Sequence, residues 1–417
     1  MTIRDEFESL FSSLARAPVV SAFSDDRGQK SASGSPEEIS EEEILSLLQE
    51  AQKRLQKDPS LFSGDPEGIF TYDDPILAAG AYFFHAASKY ASLIATAGGD
   101  GLELRNSAFW HWTKVGIRAF FSHSDSSFIE LAGMVPSEAI TLDKEVVRLA
   151  VVGDAGYQCQ AQANVLYAIT TRHHTAPFDL IIHLGDVYFA GSKQEMLSNF
   201  LVPFKTIGPR VLTLAGNHDL YFGAESFIAA LTLLRQPGRF FCIETPGWRV
   251  VGLDTSLASR QILRQEGRLD QSQIKWLDGI LAKRDPKNVV LMSHHFVRSA
   301  WGKVSTVLKR QIKSRLQEDS RVVAWYWGHE HSCAAYGKDK TGHYGACIGN
   351  GAFLELWKPP TRQPRPDWYA RGRCSCYGDE AKFWPHGYLE LEMWPGEIRE
   401  HFHLENGESH TRVLKVN

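Results

Sequence analysis

Cysteine is scarce and unpatterned in this chain, with six residues among 417, at Cys159, Cys242, Cys333, Cys347, Cys374 and Cys376. No framework spacing links them, which argues against a disulfide scaffold. Cys374-Ser375-Cys376 is too tight for an ordinary zinc hairpin, so reduced thiols are expected. Excess positive charge is also missing: 45 basic against 49 acidic residues leave a formal net charge of −4, and a nucleic-acid-binding surface is disfavoured. The N-terminus, Met1-Thr2-Ile3-Arg4-Asp5-Glu6-Phe7, carries acids where a signal peptide needs a basic stretch and then an apolar one, and points to a cytoplasmic protein. Nor is there an unbroken run of membrane-spanning length. The most apolar stretch, from Asp74-Pro75 to Gly98-Gly99, is interrupted by His85, Ser88, Lys89 and Ser92, which a bilayer core penalises. No internal repeat of fixed period is visible.

What remains is an ordinary globular composition, 43% hydrophobic and 23% charged, long enough for one large core and a smaller unit. Phe23 to Ser35 is rich in Ser, Gly, Asp and Lys without an apolar period and reads as a flexible linker. A helix then starts sharply, with Ser35 as N-cap, Pro36 as its first residue and Glu38 completing a capping box, and Ile44, Leu48, Ala51 and Leu55 recur at helical spacing. Further helices follow, one through Ile76, Leu77, Tyr82 and Phe83, another with a core-facing stripe of Phe109, Trp112, Gly116 and Phe120. From Val146 short β-rich runs take over: Arg148 to Val152, Leu180 to Leu184, Val211 to Leu214, Val250 to Leu253, Val289 to Met292 and Val322 to Trp327. A helical pattern at Gln271 to Leu281 intervenes, and Tyr388 to Met393, Ile398 to Leu404 and Thr411 to Val416 read as an antiparallel meander. The expected organisation is a flexible segment at 1–37, a helical domain at 38–145 and an α/β domain at 146–417.

Five short blocks fall where apolar runs stop: Gly153-Asp154-Ala155-Gly156, Gly185-Asp186-Val187-Tyr188, Gly216-Asn217-His218-Asp219, Ser293-His294-His295 and Gly328-His329-Glu330-His331. They bring hard oxygen and imidazole donors, the kind that hold divalent first-row metals, to strand ends, where open α/β sheets place ligands. One Asp after a strand is more often a turn or cap residue, and one His is usually packed or solvated. Here that coincidence would have to recur at every block. Hydrolysis of a phosphoester at neutral pH needs an activated water and charge neutralisation on the phosphoryl oxygens, and a pair of metals supplies both. If Gly-His-x-His is extended, His329 and His331 share a side and address neighbouring metals while Glu330 points away. Asn217 offers a neutral oxygen, and a carboxylate from Asp219 would hold the tautomer of the adjacent His218.

The order of these blocks resembles the calcineurin-like metallophosphoesterase superfamily, over about Val146 to the C-terminus. The resemblance implies an α/β fold, a four-layer αββα sandwich behind the N-terminal helical domain, and a dinuclear-metal phosphohydrolase in which a metal-bridging hydroxide attacks phosphorus. Carried over position by position, Asp154 binds the first metal and Asp186 bridges, Asn217, His294 and His329 bind the second, and His331 returns to the first. His218 becomes the acid or phosphate-contacting group, oriented by Asp219, and His295 either contacts substrate or orients a neighbour. The implied cofactors are two divalent or trivalent ions, with manganese, iron and zinc all compatible. The implied partner is a small-molecule phosphoester, a monoester first. The alternatives are a phosphodiester, such as a cyclic nucleotide or lipid headgroup, and a catalytically weak scaffold of the same fold.

The chain departs from the pattern in its first two blocks. The common form begins Asp-x-His, whereas Asp154-Ala155-Gly156 lacks that histidine. Purple acid phosphatases share the Gly-Asp-x-Gly form and supply a tyrosine three residues after the bridging aspartate. That position is Phe189 here, with Tyr188 one residue early. Either Tyr188 reaches the first metal or that metal is weakly held. Trp357 to Trp384 interrupts the β-rich region with four prolines and with Arg362, Arg365, Arg371 and Arg373. It reads as a substrate-selecting lid with Trp368 and Tyr369 stacking on a leaving group, or as a solvated loop.

Overall fold

A computed structural model describes residues 2–7, 9, 126–157, 159–188, 190–221, 223–259, 266–283, 285–302, 304–371 and 383–416. The linker and the helices expected between residues 23 and 120 lie outside the described residues, as do Phe189, Arg373, Cys374 and Cys376. Along the chain the strands are Ile140–Thr141 (β1), Val147–Val152 (β2), Leu180–His183 (β3), Arg210–Thr213 (β4), Phe241–Glu244 (β5), Trp248–Leu253 (β6) and Asn288–Ser293 (β7). They continue as Val322–Trp327 (β8), Cys333–Tyr336 (β9), Tyr344–Ile348 (β10), Trp368–Tyr369 (β11), Gly387–Trp394 (β12), Glu397–Leu404 (β13) and Ser409–Lys415 (β14). Among the described residues they form two sheets, in the orders β1-β5-β6-β7-β8-β10-β9-β11 and β14-β13-β12-β2-β3-β4. β2, β3 and β4 run parallel, as do β6, β7 and β8, and the expected meander is the antiparallel β12-β13-β14. β1, ahead of residue 146, already pairs with β5.

The period-2 alternation of a strand decides the layers. On β2, Val147, Leu149 and Val151 join a core with Leu389 and Leu391 of β12 and Val250 and Leu253 of β6, so that core fills the space between the sheets. Ala150 and Val152 turn the other way, to a second core with Val165 and Ile169 of the helix Gln160–Thr175 and Phe227 and Ile228 of the helix Glu225–Leu233. The helices Gln271–Leu281 and Thr306–Glu318 contribute Leu277, Ile280, Leu308 and Ile312 to the side of the larger sheet. The result is the expected α/β sandwich of helix, sheet, sheet and helix. No helix among the described residues is long and apolar enough to cross a membrane. Cys242, Cys333 and Cys347 are buried free thiols.

His173 and His174 close the helix Gln160–Thr175. Basic residues suit the negative pole of that helix end, and His173 Nδ1 accepts the N–H of Phe178 at 3.1 Å. Trp368 lies on β11, paired with β9, and its ring stacks on His410 at 4.4 Å. It packs against the sheet and is not offered to a leaving group.

A charged group is buried between the sheets. Glu400 on β13 is fully buried, takes the hydroxyl of Tyr326 on β8 at 2.7 Å, and is paired with Arg412 on β14 at 2.6 Å. Arg412 also donates to the Tyr336 carbonyl at 2.6 Å, tying the meander to the larger sheet. Removing one member of such a set strands the other charge away from water. Glu400→Ala is expected to lower unfolding stability by about 3–5 kcal/mol, measured by denaturant titration. Arg412→Ala should cost a similar amount, and the double variant less than the sum of both.

Candidate metal centre

All five blocks follow the carboxyl ends of β2, β3, β4, β7 and β8, so both sheets deliver side chains to one edge of the sandwich. Tight backbone holds them there. Asp154, Asp186 and His329 adopt φ of 57°, 71° and 66°, a region that costs a non-glycine residue on the order of 1–3 kcal/mol and clusters at functional sites. The block glycines are explained by contact: a Cβ on Gly216 would lie 2.1 Å from Asp186 Oδ1, and one on Gly328 2.6 Å from Asp154 Oδ2. The left-handed turn at His329 also corrects the expectation of an extended Gly-His-x-His. His329 and His331 reach different clusters by a sharp turn of the chain, and Glu330 turns away to Ser299 and to the N–H of Gly302.

In the first cluster the Tyr188 hydroxyl is central. It lies 2.8 Å from Asp154 Oδ1, 3.0 Å from Asp186 Oδ2 and 2.8 Å from His331 Nε2. His331 Nε2 is in turn 3.4 Å from Asp154 Oδ1. Burial and the two carboxylates raise Tyr188 well above the ordinary phenol value. Burial opposes charge on His331, yet Asp154 and Glu355 raise it to about 9. The cluster therefore favours positive charge at its centre.

The second cluster gathers ring nitrogens and an amide oxygen around Asp186. His294 Nε2 lies 3.1 Å from Asn217 Oδ1, 3.1 Å from His329 Nδ1 and 3.4 Å from Asp186 Oδ1. Its Nδ1 faces the Leu184 carbonyl at 3.0 Å, an acceptor only, so Nδ1 carries a proton and Nε2 is the nitrogen turned to the cluster. Asn217 gives its amide N–H to the Tyr221 hydroxyl at 2.5 Å, which leaves Oδ1 facing the cluster. Burial and the surrounding imidazoles push His329 well below the ordinary histidine value, so it is neutral, the form that binds metal. Asn217 Oδ1, Asp186 Oδ1 and ring nitrogens of His294 and His329 thus converge, a donor set that one cation can satisfy together. The donor set of both clusters fits manganese, iron or zinc.

Asp186 belongs to both clusters, with Oδ2 toward Tyr188 and Oδ1 toward His294. The remaining candidates fall around them. His218 donates its backbone N–H to Asp186 Oδ1 at 3.0 Å, and its ring sits between Tyr188 and Tyr221 at 4.6 and 4.7 Å. His295 is buried, with Nδ1 2.9 Å from Thr255 Oγ1 and its ring 4.5 Å from that of His329. Asp219 is buried beneath the Asp186 turn. It accepts three backbone N–H groups, from Asp186 at 2.8 Å, Val187 at 3.0 Å and Gly216 at 2.6 Å. Those amides lie in tight loops with no ladder partner, so the carboxylate serves them first. Leu184, Tyr221, Phe353 and Glu355 were not foreseen. Only Tyr221 had a signal, four residues beyond Asn217.

Residues 147–333 match the family described as calcineurin-like phosphoesterase. The chain carries a calcineurin-like phosphoesterase domain. A Synechococcus sp. protein named a probable cyclic nucleotide phosphodiesterase is 28% identical over 163 residues, 37% of this chain and 59% of its own length. The chain thus spans less than two thirds of that relative. The structure titled as GAP50, the anchor in the inner membrane complex of Plasmodium, aligns with a TM-score of 0.51 at 14% identity, over 66% of this chain and 90% of that one. That likeness concerns the fold. A dimetal phosphatase from Danio rerio aligns with a TM-score of 0.48 at 13% identity, over 66% of this chain and all of that one.

In the calcineurin-like domain Asp186→Asn removes the carboxylate charge that the two clusters share, so bound metal and turnover should fall together. Elemental analysis beside an activity assay checks this, and full metal content with wild-type turnover would remove Asp186 from the bridging role.

Proposed function

We propose that the protein is a dinuclear-metal phosphoesterase, and the observation that carries the proposal is the Asp186 carboxylate, one oxygen in each cluster. Asp154, Asp186, Tyr188 and His331 would hold one ion, and Asp186, Asn217, His294 and His329 the other. Such a pair supplies an activated water and neutralises phosphoryl charge. The chain's own residues do the rest. Tyr221 and the Leu184 carbonyl fix the faces that Asn217 and His294 present. Asp219 pins the second and third blocks to each other, keeping the Asp186 turn and the His218 backbone in register. His218, half-buried beside Tyr188, is the group proposed to contact the phosphoryl oxygens or protonate the leaving group.

A phosphomonoester is the first substrate reading. A phosphodiester is the second, favoured by the name of the Synechococcus relative. Turnover of aryl monoesters and diesters by protein loaded separately with manganese, iron and zinc decides between them, and no turnover of either would leave a scaffold. On the preferred substrate His218→Ala is expected to keep both metals and lose about two to four orders of magnitude in kcat. The loss should shrink as the leaving group improves. Parallel loss of metal would make His218 a ligand.

A further inference from the structure

The first cluster lacks the histidine that the common first motif provides, and its tyrosine is one residue early. One segment, Gly349–Glu355 after β10, touches the terminal donors left there. The N–H groups of Ala352 and Phe353 donate to the Asp154 carbonyl at 3.0 and 3.3 Å, behind a residue held at φ 57°. The Phe353 ring packs on both Tyr188, at 4.4 Å between centroids, and His331, at 4.5 Å. Glu355 Oε2 lies 3.7 Å from His331 Nδ1, the ring nitrogen opposite the one that faces Asp154 and Tyr188. The segment is anchored at its far end too, where Trp384 donates to the Glu355 carbonyl at 3.0 Å.

We infer that Phe353 and Glu355 are positioning residues that make the first cluster a full-strength metal site despite the missing histidine. The Phe353 ring closes off the arc through which Tyr188 and His331 would swing, so the shifted tyrosine can only point inward. Glu355 sets the His331 ring from behind, the arrangement by which a carboxylate orients a metal-binding imidazole. The second cluster gets its orientation elsewhere, from the Leu184 carbonyl and Tyr221. Loss of either positioning residue should therefore weaken one site and spare the other.

The inference rests on the two-metal reading above, and calorimetric titration of the metal-free protein with zinc alone separates the two. Wild type should take up two equivalents. In an Asn217→Ala background, which disables the second site, Glu355→Gln or Phe353→Ala should weaken the remaining zinc site by about 10–100-fold. In an Asp154→Ala background the same changes should leave the remaining site unaltered, and Phe353→Tyr, which keeps the ring, should retain wild-type affinity in both. Equal weakening in the two backgrounds, or none in either, overturns the assignment to these residues. If Phe353→Ala does not fold, the isosteric Glu355→Gln carries the test alone. Uptake of fewer than two equivalents by wild type would instead overturn the two-metal reading.

Discussion

The centre depends on a single carboxylate having to serve two places at once. Asp186 sits in a left-handed turn at the end of β3, with one oxygen toward Tyr188 and the other toward His294. That orientation is held by its neighbours. Asp219 accepts the Asp186 amide, Gly216 leaves room for Oδ1 where any Cβ would collide, and the His218 amide donates to that same oxygen. The sandwich supplies the frame. Parallel β2, β3 and β4 from one sheet and β7 and β8 from the other end at one edge, and the Glu400, Arg412 and Tyr326 group between the sheets fixes their relation at another point.

The two clusters meet their demands differently. Two carboxylates, a phenol and an imidazole give the first a strong preference for positive charge, and its geometry is kept by the segment after β10. Neutral donors dominate the second, and there the orienting partners are a carbonyl at the end of β3 and a tyrosine one helical turn from Asn217. In the first block Gly156 offers no side chain, and the Tyr188 hydroxyl lies between Asp154, Asp186 and His331.

The layers and the donor positions were legible because they repeat a simple local rule, an apolar run that stops at a glycine and a polar residue. Val322 to Trp327 and Gln271 to Leu281 have the bounds read from the sequence. Short or weakly apolar strands such as β1, β9 and β11 were not read, since their pairing partners rather than their own pattern define them. The three buried amides that Asp219 accepts were not legible, because adjacency to His218 says nothing about which donors a side chain meets in a tight turn. The His329 turn was missed for a related reason: in its left-handed backbone the His329 N–H donates to Asp154 Oδ2 at 2.8 Å, a contact between residues far apart in the chain. Phe353 and Glu355 belong to no motif and act from a loop that only the sheet order brings near Tyr188.

Anomalous diffraction from crystals grown with manganese tests the central claim most directly. Two peaks are predicted, about 3.5–4 Å apart, one on either side of the Asp186 carboxylate, the first within bonding distance of Asp154, Tyr188 and His331 and the second of Asn217, His294 and His329. A single peak, or two peaks that do not share Asp186, would contradict it.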